Sequence, residues 1–147
     1  MATVLIAGLY EQVRGLSRAE VADRLEASTL PDRAAELAAI DAAFGGEAEA
    51  VARTHGAFLA MTPQTYDAIK RRILDHWDDV QAIAAQVPPP AAIARLLEIA
   101  GGPTTPEELG FSPAVVALAL DNGHYLRNRF TVRKLTRMLG LDQERSF

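Results

Sequence analysis

Apolar residues recur at helical spacing along almost the whole chain, and no segment alternates apolar and polar residues as a half-buried strand would. Near the start, Leu5, Leu9 and Val13 fall on one face of a helix. This spacing predicts a first helix over residues 2–14 that ends at Gly15. Because the same pattern continues to the end of the sequence, the chain is predicted to be all-α, a multi-helix bundle.

Boundary signals divide the first part of the chain into short helices. Ser17 and Glu20 have the spacing of a capping box, in which each side chain binds the other residue's backbone N–H. Pro31 suits the first turn of a third helix, and the pair Gly45-Gly46 is typical of a helix end. The helices predicted here cover residues 18–27, 31–44 and 47–60.

The longest helix is predicted to follow Thr62-Pro63, which reads as an N-cap and a first helical residue. It extends over residues 63–86, with a buried apolar face that reaches Ile83, and three prolines from Pro88 onward end it. Further helical segments are predicted over residues 91–100, 105–110, 113–125 and 131–139, the last of them capped by Thr131.

Composition narrows the class of protein. The formal net charge is −4 and there is no nucleic-acid-binding motif, so binding to nucleic acid is not expected. The absence of cysteine excludes disulfides, thiolate metal sites and cysteine nucleophiles. The basic residues concentrate near the C-terminus, at Arg127, Arg129, Arg133, Lys134 and Arg137.

The length of 147 residues suits one helical domain over residues 1–147, with a subdivision into 1–61 and 62–147 left open. The apolar run at the N-terminus is short and no basic region precedes it, which favours neither a signal peptide nor a membrane span. We therefore expect a cytoplasmic protein that does not enter a membrane.

Few residues carry recognisable chemistry. His55, His76 and His124 lack the mutual spacing of metal ligands on one helix, so no metal site is assigned to them. We interpret His55 as lying on a helix face and His76 as a surface or boundary residue. No glycine-rich loop follows a strand, so no cofactor-binding residue is assigned either.

The best candidate site is the segment from His124 to Thr131. Arg127 and Arg129 can pair with a phosphate or carboxylate, and His124 can donate a hydrogen bond or transfer a proton. Thr131 would point the next helix N-terminus at the same anion. In the alternative interpretation, the two arginines pair with acidic side chains of neighbouring helices and Thr131 only caps its helix.

This segment also carries a resemblance to a known family. The residues 126–131, Leu-Arg-Asn-Arg-Phe-Thr, resemble the Arg-x-Arg-aromatic-Thr ending of the sn-glycerol-1-phosphate dehydrogenases. The Trp77 helix, the break at Pro88 and residues 96–110 follow the same order of features. These dehydrogenases belong to the group of dehydroquinate synthase-like and iron-containing alcohol dehydrogenase-like proteins, and the resemblance is to their C-terminal helical domain.

The resemblance implies an NAD(P)- and divalent-metal-dependent oxidoreductase that interconverts dihydroxyacetone phosphate and sn-glycerol 1-phosphate. It implies an N-terminal α/β domain that binds the nucleotide, and a role for His124, Arg127 and Arg129 at the phosphate end of the substrate. The sequence holds neither the glycine-rich nucleotide segment nor the family's metal-binding Asp and His positions. We therefore assign no catalytic, cofactor or metal residue to this chain.

Three hypotheses follow. In the first, the chain is the helical part of such an enzyme and is inactive alone, so that its partner is the missing α/β domain or a separate chain that carries it. In the second, it is a stand-alone helical protein-interaction module derived from that domain, for which a homo-oligomer is one form. In the third, it is a helical phosphate-binding module that depends on the basic cluster.

Overall fold

The computed structural model describes residues 1–141, and over them every regular element is a helix. The α-helices are α1 (Ala2–Gly15), α2 (Arg18–Ala27), α3 (Arg33–Phe44), α4 (Ala48–Thr54), α5 (Gly56–Leu59), α6 (Pro63–Asp75), α7 (Trp77–Ala85), α8 (Pro90–Ile99), α9 (Pro113–Asn122) and α10 (Val132–Met138). Short 3₁₀ turns lie at Gly45–Glu47, Glu107–Leu109 and Gly123–Leu126. The prediction of an all-α bundle is confirmed.

Local capping explains the boundaries that were predicted correctly. The Ser17 hydroxyl accepts the Glu20 N–H at 3.3 Å, and the Glu20 carboxylate accepts the Ser17 N–H at 2.7 Å, which completes the capping box of α2. At the start of α6, the Thr62 hydroxyl accepts the Thr65 N–H at 3.2 Å. Gly45, with φ of +49°, ends α3 in a conformation that other residues rarely adopt.

The prediction of one long helix over residues 63–86 is wrong, because the helix breaks at His76 into α6 and α7. The backbone of His76 leaves the helical region, with φ of −106° and ψ of 21°. The Arg18 guanidinium donates to the Leu74 carbonyl, which a continuous helix would use within its own ladder. A side chain of α2 therefore occupies a backbone acceptor at the break.

The single helix predicted over residues 47–60 is also wrong, because it breaks at His55 into α4 and α5. Here the backbone has φ of −98° and ψ of 16°, and the imidazole is buried instead of lying on an ordinary helix face. His55 Nε2 lies 2.8 Å from the Tyr125 carbonyl oxygen. The break therefore coincides with a contact to the other end of the chain.

Smaller differences concern helix ends and one apolar face. Pro31 precedes α3, which Asp32 caps instead by accepting the Ala35 N–H at 2.8 Å. Thr131 occupies the N-cap position of α10, but its hydroxyl makes no capping bond and is buried without a hydrogen-bond partner among the described atoms. Ile83 was predicted to be buried and is 58% exposed. In addition, α1 includes Gly15 and α9 ends at Asn122 instead of Tyr125. The bounds of α8, of the 3₁₀ turn Glu107–Leu109 and of α10 differ from the predicted ones by one or two residues.

The main core forms where α1 and α2 pack against α6, α7 and α10. Trp77 is its largest fully buried side chain. Its buried members are Val13, Val21, Leu25, Ile73, Trp77, Ala84, Leu135, Leu139 and Leu141. A second cluster joins Ile40, Leu59 and Tyr125. Side chains from both sides of residue 61 thus share the main core, and the subdivision at that residue stays a prediction.

Within residues 1–141, no helix has both the length and the apolar content needed to cross a membrane.

Replacement of Leu25 by alanine tests this assignment of the core. Leu25 is 1% exposed, so Leu25→Ala should lower the free energy of unfolding by about 2–5 kcal/mol through lost burial and an unfilled cavity. Leu96 is 65% exposed on α8, and Leu96→Ala should change it by no more than about 0.5 kcal/mol. Urea unfolding followed by circular dichroism measures both. Equal effects of the two substitutions would contradict the assignment.

Candidate functional site

The three residues predicted to form a site lie in different environments. His124 is buried in the 3₁₀ turn, at 1% exposure, whereas Arg127 and Arg129 are exposed on the loop that follows. The Arg127 guanidinium donates to the neighbouring Leu126 carbonyl at 3.2 Å. Within residues 1–141, neither Arg127 nor Arg129 forms a salt bridge to a carboxylate. Their role in binding phosphate stays a prediction.

His124 belongs instead to a buried polar group that we call the Glu36 cluster: Glu36, His124, Tyr125 and Arg137. The Tyr125 hydroxyl donates to Glu36 Oε2, and Arg137 Nη2 donates to Glu36 Oε1. Glu36 is 5% exposed, and it lies 101 residues from Arg137 in the sequence. The cluster therefore joins α3, the 3₁₀ turn and α10 through one carboxylate.

The local structure of each element explains how these side chains meet. Glu36 lies in the first turn of α3, one helical turn before the buried Ile40, so both face the interior. The 3₁₀ turn places His124 and Tyr125 side by side, with ring centroids 4.0 Å apart. Arg137 extends from the last turn of α10 toward both elements. Each element thus contributes side chains that its own geometry directs inward.

Hydrogen-bond partners assign the tautomer of His124. Nδ1 lies 3.0 Å from the Asp121 carbonyl oxygen, which can only accept, so Nδ1 carries the proton. Nε2 lies 2.8 Å from Arg137 Nη1, which can only donate, so Nε2 accepts. Glu36 Oε2 is 3.7 Å from Nε2, beyond hydrogen-bonding distance. In this arrangement His124 positions the Arg137 guanidinium against Glu36.

His55 supports the same cluster from the α4–α5 break. Because the Tyr125 carbonyl can only accept, His55 Nε2 carries the proton that it donates there, at 2.8 Å. Burial lowers the pKa of His55, which keeps the imidazole neutral. Its ring meets the Tyr125 ring edge to face at 5.2 Å. The other ring nitrogen, Nδ1, is buried with no hydrogen-bond partner among the described atoms.

The charges of the cluster are set by these contacts. Burial acts to raise the pKa of Glu36, but His124 and Tyr125 beside the carboxylate and the charge of Arg137 together hold it below its ordinary value. Burial, together with the hydrogen bond to Glu36, raises the pKa of the Tyr125 hydroxyl. The cluster is therefore built on one carboxylate–guanidinium ion pair, which the Tyr125 phenol and the His124 imidazole support.

A cleft of about 630 Å³ opens beside the cluster, between the α2–α3 connection, α6 and α10. We call it the basic cleft, because three cationic side chains line it against two carboxylates. The cations are Arg24, Lys134 and Arg137, and the carboxylates are Asp32 and Glu36. Aromatic and apolar side chains form most of the remaining wall: Phe58, Met61, Tyr66, Ile69, Phe130 and Met138.

This arrangement was not predicted from the sequence. Lys134 and Arg137 stand there only as part of a basic C-terminal segment, and Glu36 belongs to no recognisable motif. The sequence contains one indication that Glu36 is buried. Glu36 and Ile40 are four residues apart, so they lie on the same face of α3, which is its buried face. A carboxylate on a buried helical face calls for a buried partner, but the identity of that partner does not follow from the sequence.

The residues present do not fit the metal or nucleotide that the resemblance implies. Over residues 1–141, no three His, Asp or Glu side chains lie close enough together to hold a metal ion. There is likewise no strand in this part of the chain from which a phosphate-binding loop could lead into a helix. We therefore derive no reaction step through either group from these residues.

A comparison with known proteins gives one relative. A glycerol-1-phosphate dehydrogenase [NAD(P)+] from Geobacillus thermodenitrificans (strain NG80-2) is 34% identical to this chain over 76 residues, which cover 50% of the chain and 19% of that enzyme. The matched segment is thus about a fifth of the enzyme's length. No protein-family model and no solved structure matches the chain. The similarity supports a relationship to the glycerol-1-phosphate dehydrogenases.

Substitution of Glu36 tests the energetic role of the cluster. Glu36→Gln removes the charge that compensates Arg137, and we expect the free energy of unfolding to fall by about 2–3 kcal/mol at pH 7. The loss is smaller than for a fully buried pair because the Arg137 side chain is 32% exposed. Glu26→Gln, at an exposed position of α2, is the matched control and should have almost no effect. Urea unfolding gives both values.

The pH dependence of the same pair of proteins provides a separate test. Glu36 has a lower pKa in the folded chain than its ordinary value of 4.5, so its stabilising contribution is present above that value and is lost as the pH falls through the folded pKa. The stability advantage of the unmodified protein over Glu36→Gln should therefore shrink steadily below about pH 4.5. An advantage that stays constant down to pH 3, about a unit and a half lower, would contradict this sign.

Proposed function

We propose that this chain is the C-terminal helical part of an NAD(P)- and metal-dependent sn-glycerol-1-phosphate dehydrogenase-like oxidoreductase, which interconverts dihydroxyacetone phosphate and sn-glycerol 1-phosphate. The observation that carries the proposal is the 34% identity over 76 residues to an enzyme of that name. The all-helical fold of residues 1–141 agrees with a helical part of such an enzyme.

In this proposal the chain does not carry out the reaction alone. Nucleotide and metal binding are assigned to an α/β part outside these residues, either on the same polypeptide or on a separate chain. The reason is that residues 1–141 offer neither a metal-ligand cluster nor a strand followed by a phosphate-binding loop. The helical part would then supply one wall of the substrate cleft.

The loop between the 3₁₀ turn and α10 is the best candidate for contact with the substrate phosphate. Arg127 and Arg129 are exposed there and form no salt bridge within residues 1–141, so their guanidinium groups are available to an anion. The Glu36 cluster holds the start of this loop through His124 and Tyr125. His124 would therefore act beneath the loop as a positioning residue.

A chimera tests the proposal. The purified chain alone should not oxidise NADH or NADPH with dihydroxyacetone phosphate. Fusion of the chain to the α/β part of the Geobacillus thermodenitrificans enzyme should restore NAD(P)H oxidation. In the active fusion, Arg127→Ala combined with Arg129→Ala should raise KM for dihydroxyacetone phosphate about tenfold or more, with a smaller change in kcat, because each lost phosphate contact removes binding energy.

The control for the fusion is Arg53→Ala, which removes another exposed guanidinium, on α4, and should leave KM unchanged. Activity of the chain without the α/β part would contradict the proposed division of roles. A fusion that folds and binds NADPH but does not reduce dihydroxyacetone phosphate would contradict the proposed function. An unchanged KM in the double variant would show that Arg127 and Arg129 do not bind the substrate phosphate.

A stand-alone helical interaction module is the second candidate, and exposed apolar side chains favour it. They lie on α8, on α9 and in the connection between these helices: Leu96, Ile99, Leu109, Phe111, Val115 and Leu118. Ile99 alone is 73% exposed. On α1 and α2, in contrast, Ile6 is the only exposed large apolar residue. Stable self-association of an inactive chain in analytical ultracentrifugation would support this candidate over the enzyme part.

A further inference from the structure

The basic cleft contains a buried cation whose charge is poorly compensated. Lys134 is 7% exposed, and its ammonium group has three hydrogen-bond donors. In the described part of the chain, its hydrogen bond is to the Arg127 carbonyl at 3.3 Å, and it forms no salt bridge. Its remaining partner is the Phe58 ring, whose centroid lies 5.3 Å away. Buried ammonium groups are normally paired with a carboxylate, and no carboxylate of residues 1–141 forms a salt bridge with this one.

The other lysine of the chain, Lys70, shows the usual pairing with a carboxylate. Lys70 Nζ donates to the Ser28 carbonyl and lies 4.0 Å from the Asp67 carboxylate. Lys70 is also partly exposed to solvent, whereas Lys134 is buried. Among residues 1–141, Lys134 therefore has neither the solvent contact nor the nearby carboxylate that Lys70 has.

The neighbouring Arg137 is itself a cation, and its guanidinium group is already bound to other side chains. Its Nη2 donates to Glu36, and its Nη1 donates to His124 at 2.8 Å. The Glu36 charge is already shared between Arg137 and the Tyr125 hydroxyl. The cleft wall therefore holds the Glu36–Arg137 ion pair, in which the two charges compensate each other. It also holds the Lys134 ammonium group, whose charge no carboxylate of residues 1–141 compensates.

The rest of the wall indicates what kind of molecule would accompany the charge. The cleft volume of about 630 Å³ is in the range of small-molecule sites. Phe130 is 51% exposed and Met138 is partly buried, and both line the cleft beside Lys134. Apolar side chains of this kind bury the carbon skeleton of a ligand, whereas a bare inorganic ion would leave them in contact with water.

We infer that the basic cleft binds a small organic anion, with its carboxylate or phosphate against the Lys134 ammonium group and its carbon skeleton against Phe58, Phe130 and Met138. The site is complete within residues 1–141 and needs no α/β part. Neither Arg127 nor Arg129 is among the side chains that line it, so the inference goes beyond the proposed function and does not depend on it.

Calorimetric titration of the isolated chain tests the inference with three probes: phenyl phosphate, benzoate and inorganic phosphate. At least one organic anion should bind, and inorganic phosphate should bind about tenfold more weakly or worse, because it buries no apolar surface. The organic probe with the lower Kd, phenyl phosphate or benzoate, identifies the preferred head group. Failure of both organic anions to bind would overturn the inference, as would equal binding of all three probes.

Two variants identify the residues involved. Lys134→Met keeps the length of the side chain without its charge and should weaken the binding of organic anions about tenfold or more. Phe130→Ser, at a half-exposed position, should weaken the organic anions while it leaves inorganic phosphate unchanged. Unchanged binding of the organic anions to either variant would overturn the assignment of that residue.

Thermal unfolding without ligand separates a binding role from a structural one. Lys134→Met should keep or raise the Tm, because it replaces a poorly compensated buried charge with an apolar side chain. A lower Tm would indicate that Lys134 serves stability and would count against the inference. The matched control is Arg127→Ala combined with Arg129→Ala, which keeps the Arg127 carbonyl and should bind the organic anions normally. Loss of binding in this control alone would move the site to the loop.

Discussion

The contact on which the structure most depends is the ion pair between Glu36 and Arg137. It connects residues 101 positions apart, and the carboxylate is 5% exposed. A carboxylate that is removed from water without a partner costs several kcal/mol, so burial of Glu36 favours an arrangement that brings Arg137 of α10 to α3. The pair thus links two helices that are distant in the sequence.

The same ion pair helps to hold the loop of residues 127–131, which carries Arg127 and Arg129 and which we call the arginine loop. The 3₁₀ turn before this loop contains Tyr125, whose hydroxyl binds Glu36, and α10 after it carries Arg137. Lys134 Nζ adds a bond to the Arg127 carbonyl from the first turns of α10. The backbone that displays Arg127 and Arg129 is therefore anchored on both sides, although the two side chains are exposed. A loop that is held in this way offers its cations in a limited range of positions, which reduces the entropy lost when an anion binds.

The parts of the fold that could be predicted are those that depend on neighbours in the sequence. The capping box of α2 and the Thr62-Pro63 start of α6 involve residues three positions apart, and both were predicted correctly. The breaks at His55 and His76 coincide with contacts to distant residues. His55 binds the carbonyl of Tyr125, 70 residues away, and the Leu74 carbonyl beside the second break accepts from Arg18, 56 residues away. Helical periodicity contains no information on such partners, so each pair of helices was predicted as one.

The residues of the predicted site lie in two environments for a related reason. Residues 124–131 are contiguous in the sequence, but a 3₁₀ turn has about three residues per turn, so only some of them face the interior. His124 and Tyr125 are buried, and the residues from Leu126 to Phe130 are exposed. Proximity in the sequence therefore grouped His124 with Arg127, whereas the structure pairs it with Arg137. The position of Glu36 on the buried face of α3 is the feature of the local sequence that indicates the cluster.

The buried ammonium group of Lys134 and the exposed guanidinium groups of Arg127 and Arg129 would attract an anion with different energies. At a separation of 4 Å, two unit charges interact with about 1 kcal/mol in water and about 4 kcal/mol near a protein surface, so burial increases the attraction several-fold. Arg127 and Arg129 face solvent, where water and salt screen them, whereas Lys134 is buried beside an apolar wall. If both proposed sites bind anions, the buried ammonium group of Lys134 is therefore expected to be the stronger site among residues 1–141. The loop arginines would become comparably strong only if a second surface covered them and excluded water, as a substrate cleft between two protein parts would do.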